Sequence, residues 1–183
     1  MIIGITGTDG AGKGAVVEYL KTKGFAHYSV RSLITKEIVR RGLEIHRPHM
    51  REVANDMRAE HGGSVMVKMA EDAAVSDKVS DYIVESLRAV DEVVLLHKKN
   101  GLLLAVDAEQ RLRYERIYSR GSETDKITFE QFVDQDLIES QSENTAEQNK
   151  FAVMKMADHT IMNDGTIEEL HAKVEEWLQT INK

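Results

Sequence analysis

Nine consecutive residues near the start of the chain have the composition of a phosphate-binding loop. Their pattern is G-x-x-x-x-G-K, and they are Gly7, Thr8, Asp9, Gly10, Ala11, Gly12, Lys13, Gly14 and Ala15. Glycines let a backbone turn tightly enough for successive N–H groups to face phosphate oxygens, and the lysine adds a positive charge beside the β- and γ-phosphates. An apolar run at 2–6 precedes the loop and a helical pattern follows it, as the motif requires. The spacing predicts that all nine residues bind a nucleotide and that Lys13 acts in catalysis.

The loop departs from the usual pattern at the position that binds magnesium. A Ser or Thr normally follows the lysine and ligates Mg²⁺, whereas this chain has Gly14 and then Ala15. Phosphates and water must then hold most of the ion, and we expect the carboxylates of Asp9 and Glu85 to reach it through water. Glu85 ends a short apolar run, so a parallel sheet would place it at the carboxyl edge where ligands bind. Both acids are therefore predicted to act in catalysis.

The arginines are confined to the first two thirds of the chain. All lie at or before Arg120, and residues 121–183 carry five Lys against fourteen Asp and Glu. Arg113, Arg116 and Arg120 share one face of a predicted helix. A guanidinium can donate two parallel hydrogen bonds to phosphate oxygens. We therefore expect Arg116 and Arg120 to stabilise a transferring phosphoryl group and Arg113 to contact the substrate. Surface pairing with neighbouring glutamates is the alternative.

A further set of polar residues is predicted to bind the phosphoryl acceptor. Arg88 lies three residues after the acid that ends the apolar run 82–84, so it can hold a phosphate at the same edge. Asn55 and Arg58 lie one helical turn apart and can face one ligand. Arg31 belongs to the same arginine-containing stretch of the chain. For Arg88 a solvated position at a helix start is the alternative.

A turn near the end of the chain is a candidate for the nucleobase. Asn163-Asp164-Gly165 follows a strand pattern and precedes the capped helix that begins after Thr166. Its backbone can lie against a base, although the same sequence is common in turns with no ligand. The spacing alone leaves both interpretations open.

The elements that must position these residues alternate between strands and helices. Short apolar runs predict strands at 2–6, 25–29, 82–84, 102–107 and 159–162. Helical patterns occur at 12–23, 31–42, 48–60, 63–79, 88–98, 108–120, 127–140, 142–157 and 166–181. This alternation predicts an α/β fold, in which helices cover both faces of a mainly parallel sheet. The helical stretch 31–80 and the shorter stretch 111–150 are predicted excursions from that sheet.

Composition narrows the class of protein. A chain of 183 residues suits one domain, its net charge of −7 argues against a general nucleic-acid binder, and it contains no Cys. No apolar stretch approaches the roughly 20 residues that cross a bilayer, and the first residues lack the basic leader of a signal peptide. We expect a cytoplasmic protein that acts without a membrane or nucleic-acid partner. No helix face is distinctive enough to predict an oligomeric state.

Taken together, these motifs resemble those of the P-loop nucleoside-monophosphate-kinase-like superfamily. The similarity is strongest to the group of dephospho-CoA kinases, deoxynucleotide monophosphate kinases and archaeal dephospho-CoA-kinase-like proteins. It rests on the loop at 7–14, on 53–58 followed by His61-Gly62, on 83–88, on 106–108 leading into 113–116 and 120–121, and on 157–165. The resemblance covers nearly the whole chain.

The resemblance implies a three-layer αβα kinase fold with a five-stranded parallel sheet in a single domain, 1–183. Its core would comprise 1–30, 81–110 and 151–183, with an acceptor-binding helical region at 31–80 and a lid at 111–150. It implies transfer of the γ-phosphate of ATP, with Mg²⁺, to a small nucleotide acceptor, and it places Asn163 and Gly165 near the adenine.

Three functions remain open at this stage. A nucleoside or deoxynucleoside monophosphate presents a phosphate and needs arginine clamps, whereas dephospho-CoA presents a hydroxyl and needs a base such as Asp9 or Glu85. The missing hydroxyls at Gly14 and Ala15 are also compatible with a nucleotide-binding regulatory protein that has little or no kinase activity.

Overall fold

The sheet is built from five short strands that all run parallel. A computed structural model describes residues 1–121, 127–138 and 149–181. The strands are β1 (Ile2–Gly7), β2 (Ala26–Ser29), β3 (Tyr82–Glu85), β4 (Leu102–Asp107) and β5 (His159–Met162). Their order across the sheet is β2-β3-β1-β4-β5. The strand order therefore reverses at β1, with β2 and β3 on one side of it and β4 and β5 on the other. Such a switch point opens a crevice at the carboxyl ends of the strands.

Helices occupy most of the remaining described chain. They are α1 (Lys13–Thr22), α2 (Val30–Arg40), α3 (Arg47–His61), α4 (Val65–Asp77), α5 (Val90–Lys98), α6 (Gln110–Arg120), α7 (Phe129–Ile138), α8 (Lys150–Lys155) and α9 (Ile167–Ile181). The regular elements of the stretch 31–80 are all helices, namely α2, α3 and α4. Within the predicted lid at 111–150, residues 122–126 and 139–148 lie outside the described ranges. None of the helices in the described ranges combines the length and apolar character that a membrane crossing requires.

Alternating side chains divide the interior into two cores, one on each face of the sheet. Ile3 and Ile5 of β1 pack with α1 and α9, whereas Val84 and Leu103 pack on the opposite face with α2–α5. A strand that is covered on both faces is apolar along its whole length, as the sequence of β1 is. The predicted three-layer fold is therefore confirmed, and its two filled cores hold the carboxyl edge of the sheet rigid.

Close packing and capping place the loops at that edge. Gly4 lies in the middle of β1, where a Cβ would lie 2.7 Å from a methyl carbon of Leu87, so the strand and the segment after β3 stay in contact. The cap of α6 is Glu109, whose carboxylate accepts a hydrogen bond from the Leu112 N–H at 2.9 Å. Asp107 instead accepts hydrogen bonds from the Ala108 N–H and the Thr8 hydroxyl, which ties the end of β4 to the loop after β1.

Candidate functional site

The loop predicted to bind phosphate lies between β1 and α1 and is shaped by glycines. Gly7, Gly10 and Gly12 have φ values of 138°, 82° and 98°, which residues with a Cβ rarely adopt. A Cβ at Gly10 would also collide with the carbonyl oxygen of Arg113. All three positions therefore need glycine for the turn, and Gly10 also needs it for the close approach of α6. The loop ends at the N-terminus of α1, where backbone N–H groups attract anions.

Lys13 lies at the centre of this loop. Its Nζ donates hydrogen bonds to the carbonyl oxygens of Gly7, at 2.9 Å, and Thr8, at 2.8 Å. Burial lowers the pKa of Lys13 from 10.5 to about 8; the Asp9 carboxylate opposes this change, and the Arg88 and Lys150 charges add to it. Among the described residues, the partners of the ammonium are these two carbonyl oxygens and one carboxylate oxygen of Asp9 at 3.8 Å, so an arriving phosphate offers it stronger partners.

Asp9 and Arg88 form an ion pair across the mouth of the loop. The Nη2 atom of Arg88 lies 3.1 Å from Oδ1 of Asp9, and both side chains are partly exposed. The structure thus brings together a predicted metal-side acid and a predicted acceptor-side arginine. Both lie close to Lys13, whose pKa they change. Charge of both signs at one carboxyl edge is the arrangement that phosphoryl transfer requires.

Glu85 ends β3 at the same edge and pairs with a histidine that the sequence did not single out. Oε2 of Glu85 lies 2.9 Å from Nε2 of His27 on the neighbouring strand β2. Ser86, which follows, has a φ of 73°, a conformation in which a non-glycine residue is strained. The negative charge of Glu85 also acts on Lys13. The carboxylate therefore lies in the same electrostatic environment as the phosphate loop.

The donor set around the loop fits a magnesium ion that is held mainly by phosphates. Among the described residues, no cluster of three or more His, Cys, Asp or Glu could hold a metal by itself. The hydroxyls of Thr6 and Thr8 are already committed, because they donate to the carbonyl oxygen of Leu87 and to Asp107. Asp9 and Glu85 remain as partly exposed carboxylates. Since Mg²⁺ keeps several waters and uses one or two carboxylates together with substrate phosphates, these two acids suit it.

Arg113, which is predicted to contact the substrate, is buried and directed at acceptors of the protein itself. The side chain is buried, and its Nε donates to the carbonyl oxygen of Ala108 at 3.1 Å, Nη1 to that of Asp9 at 3.3 Å, and Nη2 to Asp136 at 2.8 Å. Every nitrogen of the guanidinium therefore has a protein acceptor. Arg113 holds the phosphate loop from behind instead of facing a ligand.

The two outer arginines of α6 have different positions. Arg116 donates from Nη1 to the carbonyl oxygen of Asn163 at 2.8 Å and from Nη2 to that of Gly165 at 3.5 Å, so it supports the turn predicted to lie near adenine. Arg120 is exposed at the end of α6. In this structure Arg116 is bound to the turn, and a role of either side chain at a transferring phosphoryl group stays a prediction.

The turn at 163–165 contacts the phosphate loop directly. Asn163 is buried, and its Nδ2 donates to the carbonyl oxygen of Ala11 at 2.8 Å, while its own N–H donates to the carbonyl oxygen of Asp107. A Cβ at Gly12 would collide with the Asn163 amide. The turn, the phosphate loop and the end of β4 are thus one connected structure.

Arg58 of α3 is buried against Glu92, a residue that the sequence did not single out. Its Nε and Nη2 donate to Oε1 of Glu92 at 3.1 and 2.8 Å, across 34 residues of sequence. The second oxygen of Glu92 accepts the N–H groups of Arg88 and Ala89. Its sequence signal was an acid three residues into a helix, the position of a capping box. The pair fixes the backbone that carries Arg88.

Two buried polar atoms of α3 lack a hydrogen-bond partner among the described residues. They are Oδ1 of Asn55 and Nη1 of Arg58, and the two residues lie one turn apart. Leaving such groups unpaired costs about 1–3 kcal/mol each, so they mark a place where a polar group is needed. Arg31 lies in the first turn of α2, after the end of β2, and is exposed.

Comparison with known proteins gives the family. The model of the family described as an AAA domain matches residues 3–149. A UPF0200 protein from Thermococcus gammatolerans is 30% identical over 187 residues, which cover 99% of this chain and 95% of the relative. The crystal structure of TT1252 from Thermus thermophilus has a TM-score of 0.64 at 19% identity and covers 98% of this chain and 97% of that one. Shikimate kinase from Aquifex aeolicus has a TM-score of 0.59 at 14% identity, with coverage of 100% and 98%. The structural likenesses show a shared P-loop kinase fold, and the sequence matches show that the chain belongs to the UPF0200 family and to the wider AAA domain family.

Proposed function

We propose that the protein transfers the γ-phosphoryl group of ATP, with Mg²⁺, to a small nucleotide, and that the acceptor is a nucleoside or deoxynucleoside monophosphate. The observation that carries this proposal is the meeting of Lys13 and the Asp9–Arg88 pair at one edge of the sheet. Solved structures with this fold include kinases of small molecules, which supports phosphoryl transfer without fixing the acceptor.

On the donor side, the loop N–H groups and Lys13 hold the phosphates of ATP. Lys13 exchanges the carbonyl oxygens of Gly7 and Thr8 for phosphate oxygens and offsets the charge of the transferring group. Mg²⁺, when bound, would neutralise part of the charge on the phosphates. Asp9 and Glu85 orient its water, while Asn163 and Gly165 form the wall beside the base.

On the acceptor side, we assign the phosphate clamp to Arg88. The charge of Arg58 is already offset by Glu92 at 2.8 Å, so Arg58 is suited to a neutral polar group instead of a phosphate. Its Nη1, together with Oδ1 of Asn55, offers one donor and one acceptor to such a group. A contribution of Arg31 to acceptor binding and of Arg120 to phosphoryl transfer belongs to the same proposal.

A second acceptor class is favoured by the pair of Glu85 and His27. A hydroxyl acceptor, such as the ribose hydroxyl of dephospho-CoA, needs a base that removes its proton. Glu85 is a partly exposed carboxylate that His27 orients at 2.9 Å, and it lies near the phosphate loop. Dephospho-CoA therefore belongs in any panel of acceptors.

The test is ADP formation from Mg-ATP in the presence of single acceptors. The panel comprises nucleoside monophosphates, deoxynucleoside monophosphates and dephospho-CoA. We expect a monophosphate to raise ADP formation at least about a hundredfold over ATP alone, because an arginine-clamped acceptor replaces water. If no acceptor raises the rate although ATP binds, the kinase proposal is wrong and a regulatory nucleotide-binding role takes its place.

Matched variants connect that rate to the site. Lys13→Ala is expected to abolish transfer, whereas Lys21→Ala, which removes an exposed lysine near the end of the same helix, should leave it unchanged. Glu85→Gln separates the acceptor classes. It should lower kcat most for a hydroxyl acceptor, since only that acceptor must lose a proton.

A further inference from the structure

Three charged side chains from three different helices meet in a buried triad behind the phosphate loop. Asp136 of α7 accepts hydrogen bonds from Nη2 of Arg113, at 2.8 Å, and from Nζ of Lys150, at 2.7 Å. Their exposed fractions are 7%, 4% and 1% respectively. Burial favours a neutral Asp136, but the two ion pairs outweigh it and hold the pKa of Asp136 below its ordinary value. The carboxylate of Asp136 therefore stays ionised between the two basic side chains.

The triad is joined to the phosphate loop by side-chain and backbone contacts. Nη1 of Arg113 donates to the carbonyl oxygen of Asp9 at 3.3 Å. The backbone of the same arginine lies so close to Gly10 that a Cβ there would collide with it. The peptide between Asp9 and Gly10 is thus enclosed by Arg113, whose direction is set by Asp136. A shift of the carboxylate would release this peptide.

A second connection runs from α8 to the acceptor side. Asn149, which caps α8 through a hydrogen bond from the Ala152 N–H, donates its own N–H to the carbonyl oxygen of Arg88 at 2.8 Å. Lys150 follows immediately, and its charge is close enough to lower the pKa of Lys13. The start of α8 therefore touches the site mechanically at Arg88 and electrostatically at Lys13.

Burying three charged side chains together carries a large desolvation cost. Desolvating three charges is repaid only by good geometry, and apolar residues of similar size often stabilise a protein as well or better. The two distances to the Asp136 carboxylate, 2.8 Å from Arg113 and 2.7 Å from Lys150, lie in the range of strong charged hydrogen bonds. The placement of the triad behind Asp9 and Gly10 gives it a purpose that apolar packing cannot serve.

We propose that Lys150 is a positioning residue of the nucleotide site, which acts through Asp136 and Arg113 to fix the Asp9–Gly10 peptide in the shape that receives phosphates. This inference rests on the proposed nucleotide-binding function. It assigns α7 and α8 to the phosphate site itself, although neither contributes a residue to the loop.

The test compares ADP affinity and thermal stability in three variants of the full chain. Lys150→Met removes the ammonium but leaves Arg113 and Asp136 as a neutral pair, so the chain should fold. We expect its Kd for ADP to rise about tenfold, the usual effect of losing one charged hydrogen bond. Lys150→Arg retains a cation and should restore the Kd to within about threefold. Lys155→Met removes an exposed lysine of the same helix and should match the unmodified protein.

Each result decides between positioning and simple packing. A lower Tm for Lys150→Met with an unchanged Kd for ADP would show a structural role only and overturn the inference. The same holds if Lys150→Met and Lys155→Met have equal Kd values. Unmodified protein that binds ADP but phosphorylates no acceptor would contradict the proposed kinase function, yet the comparison of Kd values would still stand. Unmodified protein that does not bind ADP would contradict both.

Discussion

Raising the pH from 7 to 9 removes the proton from Lys13 in the unliganded protein, because burial lowers its pKa to about 8. Bound phosphates surround the ammonium with negative charge and raise that pKa toward its ordinary value of 10.5. ADP must then bind together with a proton. Above pH 8 each further unit of pH weakens binding by about tenfold, so the Kd at pH 9 should be about ten times the Kd at pH 7.

The same linkage sets the sign of the stability change. In the unfolded chain Lys13 titrates near 10.5, so between pH 8 and pH 10.5 the unfolded state binds more protons than the folded state. The contribution of Lys13 to the free energy of unfolding therefore increases with pH in that window. Over the same pH range the nucleotide affinity falls while this contribution to the free energy of unfolding rises. These opposite changes identify Lys13 as the titrating group.

Calorimetric titration with ADP in two buffers of different ionisation enthalpy measures the proton directly. We expect uptake of about half a proton per ADP at pH 8 and nearly a whole proton at pH 9. Lys13→Arg supplies the control, since a guanidinium stays protonated throughout and should show no such uptake. A Kd that does not change between pH 7 and pH 9, or an equal change in Lys13→Arg, would refute the reasoning.

Three further predictions concern the residues that hold the site. Arg58→Met leaves the buried carboxylate of Glu92 without its cation, so it should lower the free energy of unfolding by about 3–5 kcal/mol and the Tm by about 10 °C. In calorimetry, the double change Arg58→Met/Glu92→Gln should recover most of that loss. An unchanged Tm for the single variant would argue against a stabilising role of the ion pair. Gly10→Ala combines a φ of 82° with a backbone collision, so it should lower the free energy of unfolding by about 2–4 kcal/mol and abolish ADP binding. Gly14→Ala, where a Cβ would have nothing within 4 Å, should raise the free energy of unfolding by about 0.5 kcal/mol. Equal effects of the two variants in denaturant titrations would contradict this expectation. Asn163→Ala removes the amide that holds the loop and should raise the Kd for ADP about tenfold, an expectation that an unchanged Kd would exclude.

Local pattern was sufficient for the phosphate loop and for most of the sheet. The predicted strands at 102–107 and 159–162 coincide with β4 and β5, and the G-x-x-x-x-G-K segment lies between a strand and a helix as expected. A strand that is buried on both faces, such as β4, is mainly apolar, and glycines mark sharp turns, so these features are encoded by neighbours in sequence. The predicted helix at 142–157 is seen only in its described part, where it begins at Lys150.

The arginines show where local pattern failed. Three of them on one helical face suggested a common ligand, but Arg113 is buried against Asp136, which is 23 residues away along the chain. Arg116 binds the carbonyl oxygens of a turn 47 residues away. Helical periodicity gives the face on which a side chain lies, but not what that face packs against. One feature of the sequence could have indicated that Asp136 of α7 is buried. It lies four residues after Phe132, on an otherwise apolar face of the helix.

The sequence by itself located the glycine-rich loop between β1 and α1, because a turn of that shape needs glycines in a fixed order. It also determined the layered α/β fold, through the alternation of short apolar runs with helical patterns. Tertiary structure alone decided which cations are buried in ion pairs and which lie at the partly exposed carboxyl edge. Arg58 and Arg113 look equivalent to Arg88 in the sequence, yet Glu92 and Asp136 offset the charges of the first two, while Arg88 meets Asp9 at the open edge. The difference arises because an ion pair depends on distances across the fold, which spacing along the chain does not contain.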